Sequence, residues 1–387
     1  MPEQTTPAIQ SALNEALNLL QPLAGQETYN PAVPAALVQA GLHRLPLPVQ
    51  HGGLGGRMGD VARVLAAVGA VDGAAALGLA MHCHTLGAAA ESRLWPQTLL
   101  ENLWRQVCED GALVNLTATE DSGSPARGTL PATVARRHGG GWRLDGEKSW
   151  ATWLPALRYA VVTAGLDDGE PGGRIGALLV DLNRPGVERL PAFDGLGMQA
   201  SASGVLRLSA VDVDDACLIY QRQSGAADPR SQTPLAWFGL CVAAVYLGVG
   251  EGARAAVLRW ARTRKPGDTG QPVANLPSVR LRLGRLDAAL RAARIVLLDT
   301  ARRWDKADSH TARTTILPDV ALAKLQATQA AAYATDECLR IAGGPGFLRG
   351  ELERAFRDAR AGLIHPPLED VAYLEFARAL VESGVAA

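Results

Sequence analysis

The stretch from Leu113 to Trp153 constrains this chain most, because it reads as strand directly after a helical first part. It opens as LVNLTATEDSGSPARG and closes as WRLDGEKSWATW. Thr117 and Thr119 place β-branched side chains with hydroxyls in the first run, which suits a strand with a ligand beside it. Glu120-Asp121-Ser122-Gly123-Ser124-Pro125 then breaks the strand with turn residues. A Gly-Ser turn after a strand exposes backbone N–H groups, which suits an anionic ligand edge. Asp145-Gly146 predicts a hairpin turn between Trp142-Arg143-Leu144 and Glu147-Lys148-Ser149-Trp150. Period-two geometry then sets Trp150 and Thr152 on one face. A flat ring beside a hydroxyl donor is what a planar heteroaromatic cofactor needs; a core tryptophan in an ordinary hairpin is the plainer alternative.

The flanks are helical. Gln10–Leu23 has apolar residues at helical spacing, Asp60–Ala80 is rich in Ala and Gly and suited to close packing, and Leu99–Cys108 reads as one more helix. Leu45-Pro46-Leu47-Pro48 and His51-Gly52-Gly53-Leu54-Gly55-Gly56 form a loop between them. From Ala112 to about Ile219, short β-rich runs separated by Gly and Pro predict a small barrel or sandwich. From Pro234 onward the pattern returns to helix: Leu235–Arg264, a helix ending near Trp304, and a third from Pro318 to Gly343. The division expected is 1–111 helical, 112–222 β, and 223–387 a helical bundle, an α+β chain.

At 387 residues the chain is long enough for two or three cores. Lys plus Arg is 38 against 39 acids, which argues against nucleic acid as the main partner. Five scattered cysteines without a C-x-x-C read as reduced thiols in a cytoplasmic protein, and MPEQTTPAIQ lacks the features of a signal peptide. Thr233–Gly250 is uncharged and close to the minimum spanning length, but it runs straight into Glu251, Arg254 and Arg259. That predicts a buried bundle helix, with no membrane partner. His82-Cys83-His84 holds two imidazoles that point apart on a helix, so it reads as core or pocket lining, with no metal expected.

Taken together, these pieces resemble the acyl-CoA dehydrogenase flavoproteins. Thr119–Pro125 is similar to their T-E-P-x-A-G-S-D, and Gly146–Trp153 to G-x-K-x-W-I-T-N. Gly195–Ser201 resembles x-x-M-G-x-R-x-S, Gly343-Gly344-Pro345-Gly346-Phe347 resembles G-G-x-G-Y, and Glu353–Arg360 resembles E-R-x-x-R-D-A-K. The resemblance spans nearly the whole chain in order. It implies an N-terminal helical domain, a central β-barrel domain and a C-terminal four-helix bundle. It also implies FAD held between the β-domain and the C-terminal helices, across a homodimer or homotetramer. Carried over residue by residue, the flavin contacts fall on Thr117, Thr119, Ser122, Trp150, Thr152, Arg264, Gly343 and Gly344. Ser124 falls at a substrate contact. The long helix ends in Arg259, Arg262, Arg264 and Lys265, which also complement the helix dipole.

The catalytic pattern departs from the family. Its usual base sits in I-Y-E-G-T, and here that segment is Ile364-His365-Pro366-Pro367-Leu368-Glu369-Asp370, with Pro366 at the glutamate position. Relatives that carry the base on the first C-terminal helix have it at the position of Phe238. Glu369 and His365 are the nearest proton acceptors by sequence and become the candidate bases; acidic residues favoured by a helix dipole are the plainer account of Glu369 and Asp370. The expected activity is FAD-dependent α,β-dehydrogenation of an acyl-CoA thioester. The alternatives are a flavin monooxygenase on the same fold, resembling the dibenzothiophene and amino-sugar enzymes, a relative of the CoA-ester desulfinase type, or a flavoprotein without catalysis. Substrate chain length and electron acceptor stay open at this stage.

Overall fold

A computed structural model of the chain describes residues 5–92, 94–121, 130–169, 173–225, 232–267 and 270–382. Five helices come first: α1 (Pro7–Leu20), α2 (Ala32–Gln39), α3 (Met58–Val71), α4 (Gly73–Ser92) and α5 (Gln97–Asp110). Eight strands follow: β1 (Val114–Thr117), β2 (Val134–His138), β3 (Gly141–Ala151), β4 (Tyr159–Asp167), β5 (Arg174–Asp181), β6 (Val187–Ala192), β7 (Gly204–Asp214) and β8 (Leu218–Gln223). Helices close the chain: α6 (Gln232–Thr263), α7 (Pro277–Lys306), α8 (His310–Ala342), the short α9 (Gly344–Phe347), α10 (Glu351–Ile364) and α11 (Glu369–Glu382).

The helix expected across Asp60–Ala80 is two helices. Asp72 leaves helical geometry at φ −151°, and its carboxylate caps α4 by accepting from the Ala75 N–H at 2.9 Å. The third C-terminal helix starts earlier than its proline. Ser309 caps α8 by accepting from the Ala312 N–H, so Pro318 sits inside the helix rather than at its first turn. Gly343 ends α8 at φ +63°, as expected of a C-terminal glycine.

The strands join in one mixed sheet in the order β6-β7-β3-β2-β4-β5-β8. One edge of β4 is shared: β1 pairs with it in parallel over Tyr159–Val162, and β2 in parallel over Gly165–Asp167. The end strands β6 and β8 have no pairing with each other among the described residues, so the ladder of hydrogen bonds is open.

The hairpin turn is not at Asp145-Gly146. It lies at Gly139-Gly140, both at positive φ, where β2 pairs with β3 through His138 and Gly141. Two consecutive positive φ values are what a tight two-residue hairpin turn demands, and Gly-Gly meets that without strain. Asp145-Gly146 instead forms a bulge inside β3, where the register with β7 shifts between Leu144 and Gly146. A Cβ on Gly146 would fall 2.6 Å from Thr133, so the glycine there lets another strand approach.

α6 is the axis of the molecule. Its apolar stretch is buried on α3, α4 and α8, as expected of a bundle helix. It runs parallel to α8, with Gly239 against Val320 and Gly250 against Ala331, and antiparallel to α4, with Trp237 at Gly87 and Val249 at Gly73. Backbones touch where α3 crosses it: a Cβ on Gly248 would lie 2.3 Å from the Ala66 carbonyl oxygen.

Candidate active site

The turn after β1 is sutured to β3. Lys148 is fully buried, and its ammonium donates to Glu120 Oε1 at 2.6 Å and to Thr163 Oγ1 at 3.2 Å. Glu120 also accepts from the backbone N–H groups of Ala132 and Thr133. Burial alone disfavours both charges; it lowers the Lys148 pKa, while Lys148 and Thr133 together hold Glu120 below its ordinary value. Ser149 adds two bonds, donating its N–H to the Thr119 carbonyl and its hydroxyl to Asp121. Thr119 keeps an exposed side chain above this joint.

The end of β3 does not keep period two. A second register shift between Lys148 and Ala151 puts Trp150 at φ +60°. Lys148 and Ser149 are both buried, Trp150 is 54% exposed and Thr152 is buried, so Trp150 and Thr152 do not share a face. The Trp150 ring leans on Phe193, centroids 4.4 Å apart. Behind it runs a row of hydroxyls, with Thr152, Ser203 and Ser201 linked at 3.0 Å each. Asn115 on β1 donates to the Thr152 carbonyl, and its own Oδ1 is buried with no partner among the described residues.

The other expected cofactor residues divide. Thr117 is buried and spends its hydroxyl on the Val161 carbonyl inside the sheet, which removes it as a ligand donor. Ser122 and Ser124 lie outside the described residues. Arg264, Gly343 and Gly344 come to one end of the bundle, because α6 and α8 run parallel. That end is remote from the hairpin: Val249 of α6 is beside Met198, near the Ser201–Ser203 row, and Arg264 lies 15 residues or about 22 Å further along. Within one chain, Arg264 and Trp150 do not meet.

The two histidines of α4 have different tasks. His82 Nε2 donates to the His43 carbonyl at 2.8 Å, while Nδ1 accepts from the Val114 N–H at 3.1 Å. Only the neutral ring can do both, and burial holds its pKa down to about 4. The imidazole therefore fixes α4 to β1, with Thr85 one turn on accepting from the Leu116 N–H. His84 turns to the other side, its ring edge-on to Phe238 at 5.5 Å, buried, with Nδ1 unpartnered among the described residues. Phe238 in turn faces His365, centroids 6.2 Å apart.

His365 is half-buried at the end of α10. Its Nδ1 is 3.0 Å from the Ala361 carbonyl, which can only accept, so the proton belongs on Nδ1 and the lone pair on Nε2. The buried Tyr246 hydroxyl lies 3.1 Å from the same nitrogen. Burial first, and then the charge of Lys324, bring the His365 pKa down to about 4. Lys324 of α8 is buried, and donates to the Pro367 carbonyl at 3.1 Å. Glu369 is exposed in the first turn of α11, where its charge favours the Lys324 ammonium. Of the two positions at which the resemblance places a base, Phe238 therefore faces His365, the residue before Pro366, and neither Phe238 nor Pro366 bears a carboxylate.

Residues 115–211 match the acyl-CoA dehydrogenase middle domain, and residues 240–369 match the acyl-CoA dehydrogenase C-terminal domain. YdbM of Bacillus subtilis, named as an acyl-CoA dehydrogenase, is 31% identical over 369 residues, 94% of each chain. The chain belongs to the acyl-CoA dehydrogenase family. Among other relatives of this flavin-dependent oxidoreductase is the amino sugar nitrososynthase DnmZ of Streptomyces peucetius, 29% identical over 335 residues, 83% of this chain and 78% of that one. The fold is also that of KijD3, solved with FMN and a dTDP-linked amino sugar. It superposes with a TM-score of 0.86 at 24% identity, covering 99% of this chain and 95% of that one.

The residues present in this family member fit a flavin ring. Trp150 offers an exposed aromatic face, Thr119 and the Thr152–Ser203–Ser201 row offer hydroxyls, and the buried Asn115 Oδ1 offers an acceptor for an N–H. Sequence reasoning did not single out Asn115, Ser203, Tyr246 or Lys324. Lys324 did leave a signal, as a lone charge in the apolar run Val320-Ala321-Leu322-Ala323-Lys324-Leu325.

Proposed function

We propose that this chain is a flavin enzyme of the oxygen-using kind, acting on a small molecule held between Trp150 and the His84–Phe238–His365 row. The observation that carries this reading is Phe238 packed between His84 and His365, two imidazoles kept neutral by burial, with no carboxylate at Phe238 or at the neighbouring Pro366. α,β-Dehydrogenation of a thioester needs a strong base for a carbon-bound proton. An imidazole with its pKa near 4 is a weak one, and Glu369 is on the surface. Oxygen insertion needs no such base: a flavin held at Trp150 and Thr119 would supply the two electrons with which molecular oxygen gives one atom to the substrate and one to water. The residues then have other tasks. Tyr246 and Ala361 hold His365 with Nε2 as acceptor for a substrate hydroxyl or amine, and Phe238 and His84 wall off water. The name of the relative DnmZ and the FMN of KijD3 support this reading.

FAD is proposed as the more tightly held flavin. Arg264 and the Gly343-Gly344 turn of a second copy would complete its pyrophosphate end, since the same chain's Arg264 is out of reach. The second reading is acyl-CoA dehydrogenation, favoured by the name of YdbM, with His365 or Glu369 as base. One experiment separates them. The flavin-loaded protein is mixed anaerobically with a panel of acyl-CoAs, then supplied with reduced flavin and oxygen. The oxygen-using reading expects no bleaching in the first step and substrate-dependent product in the second. Bleaching by any acyl-CoA at a catalytic rate overturns it in favour of the dehydrogenase.

A further inference from the structure

We propose that Lys324 is the positioning residue of His365: from α8 it clamps the His365-Pro366-Pro367 segment through the Pro367 carbonyl and holds the imidazole with Nε2 on the side away from Ala361. The observations are geometric. Lys324 is 1% exposed, sits mid-helix among apolar sequence neighbours, and donates to a backbone carbonyl two residues beyond His365. A buried ammonium carries a large desolvation cost and persists only where it is compensated. Three groups face it or the segment it holds: Glu369 from the start of α11, His365 from the loop, and Tyr246 from α6 through the His365 ring. Glu369 is the charge that favours the ammonium, while the ammonium in turn disfavours a charged His365 ring, which gives Glu369 the part of counter-ion rather than base.

The clamp has a consequence for the imidazole. A positive charge next to His365 opposes a second proton on the ring, so the ring stays neutral and Nε2 stays an acceptor while Lys324 is charged. Burial, opposed by Glu369, brings the Lys324 pKa down to about 8. Above that pH the ammonium loses its charge and the electrostatic environment of His365 changes, although His365 itself does not titrate there.

The test reads His365 directly. Histidine Cε1 is labelled with carbon-13 in the flavin-loaded protein, and the His365 signal is assigned by its loss in His365→Asn. Between roughly pH 7 and 9.5 the parent signal should move with a midpoint near 8. In Lys324→Gln, whose uncharged amide is one atom shorter than the lysine side chain and so releases the Pro367 carbonyl, that movement should vanish. In Lys324→Arg it should also vanish, with the signal resting at the parent's low-pH position, because the guanidinium stays charged. A parent signal that does not move, or a Gln variant that keeps the movement, overturns the proposal. The catalytic meaning of the clamp rests on the proposed function, and turnover tests it separately. Lys324→Gln should lose about 10-fold or more in turnover at pH 7, with partial rescue by Arg. If the signals behave as expected and turnover is unchanged, the clamp stands and His365 is not the acceptor.

Discussion

Acid stability should report the buried imidazoles, and His82 most cleanly. Burial holds His43 and His84 near pKa 3, and His82 and His365 near 4, all below the ordinary 6.5. A group with a depressed folded pKa binds its proton in the unfolded chain first, so stability falls as the pH drops below 6.5. Two carboxylates, the buried Asp358 and the half-buried Asp305, act in the opposite sense. Desolvation raises Asp305 and Asp358 to about 6, so below that pH the folded state takes up protons that the unfolded state does not. At about pH 5.5 the four histidines account for about 3.6 protons bound on unfolding and the two aspartates for about 1.5 released, a net of about two. The expected slope is a loss of about 3 kcal/mol per pH unit between pH 6 and 5. His82→Gln isolates one contributor, because an amide can still donate to the His43 carbonyl and accept from the Val114 N–H without titrating. Its slope should be shallower by about 1 kcal/mol per pH unit. Urea unfolding followed by far-UV circular dichroism at several pH values measures both. A flat profile for the parent, or an identical slope for His82→Gln, would refute the reasoning that these rings are held neutral.

Three further outcomes follow from the geometry. Lys148→Met should cost about 3–5 kcal/mol by stranding the buried Glu120 carboxylate, and adding Glu120→Gln should recover part of it in the same urea assay; additive losses would show that the pair is not coupled. Gly362→Ala should cost about 1–3 kcal/mol and lower Tm, because its Cβ would fall 2.8 Å from the Tyr246 ring and press on the partner of His365; an unchanged Tm would mean that α10 shifts freely. Arg264→Ala should weaken FAD about 10-fold or more and leave FMN nearly unaffected, measured by fluorescence titration; equal loss for both flavins would confine Arg264 to supporting the helix end.

What the sequence determined by itself was the order of elements and the family. The uncharged run of α6 and the helices after it are legible because helical periodicity is local, and the motifs carrying the resemblance are short and contiguous. Turn chemistry was less decisive. Asp145-Gly146 and Gly139-Gly140 are both turn-competent pairs, and pairing with β7 decided between them by making the first a bulge. The same pairing turned Trp150 outward and away from Thr152, which alternation alone could not foresee. Pro318 looked like a helix start because proline suits a first turn, but Ser309, an equally local cap nine residues earlier, starts α8. The site beside His365 was invisible in one dimension. Phe238 and Tyr246 come from α6, Lys324 from α8 and His365 from the segment after α10, and what makes them a site is burial, which sets the charge state of the imidazole and the amine. Burial is a property of the packed chain: the sequence places an imidazole beside a proline, and only the tertiary structure removes the water that would have let it take a second proton.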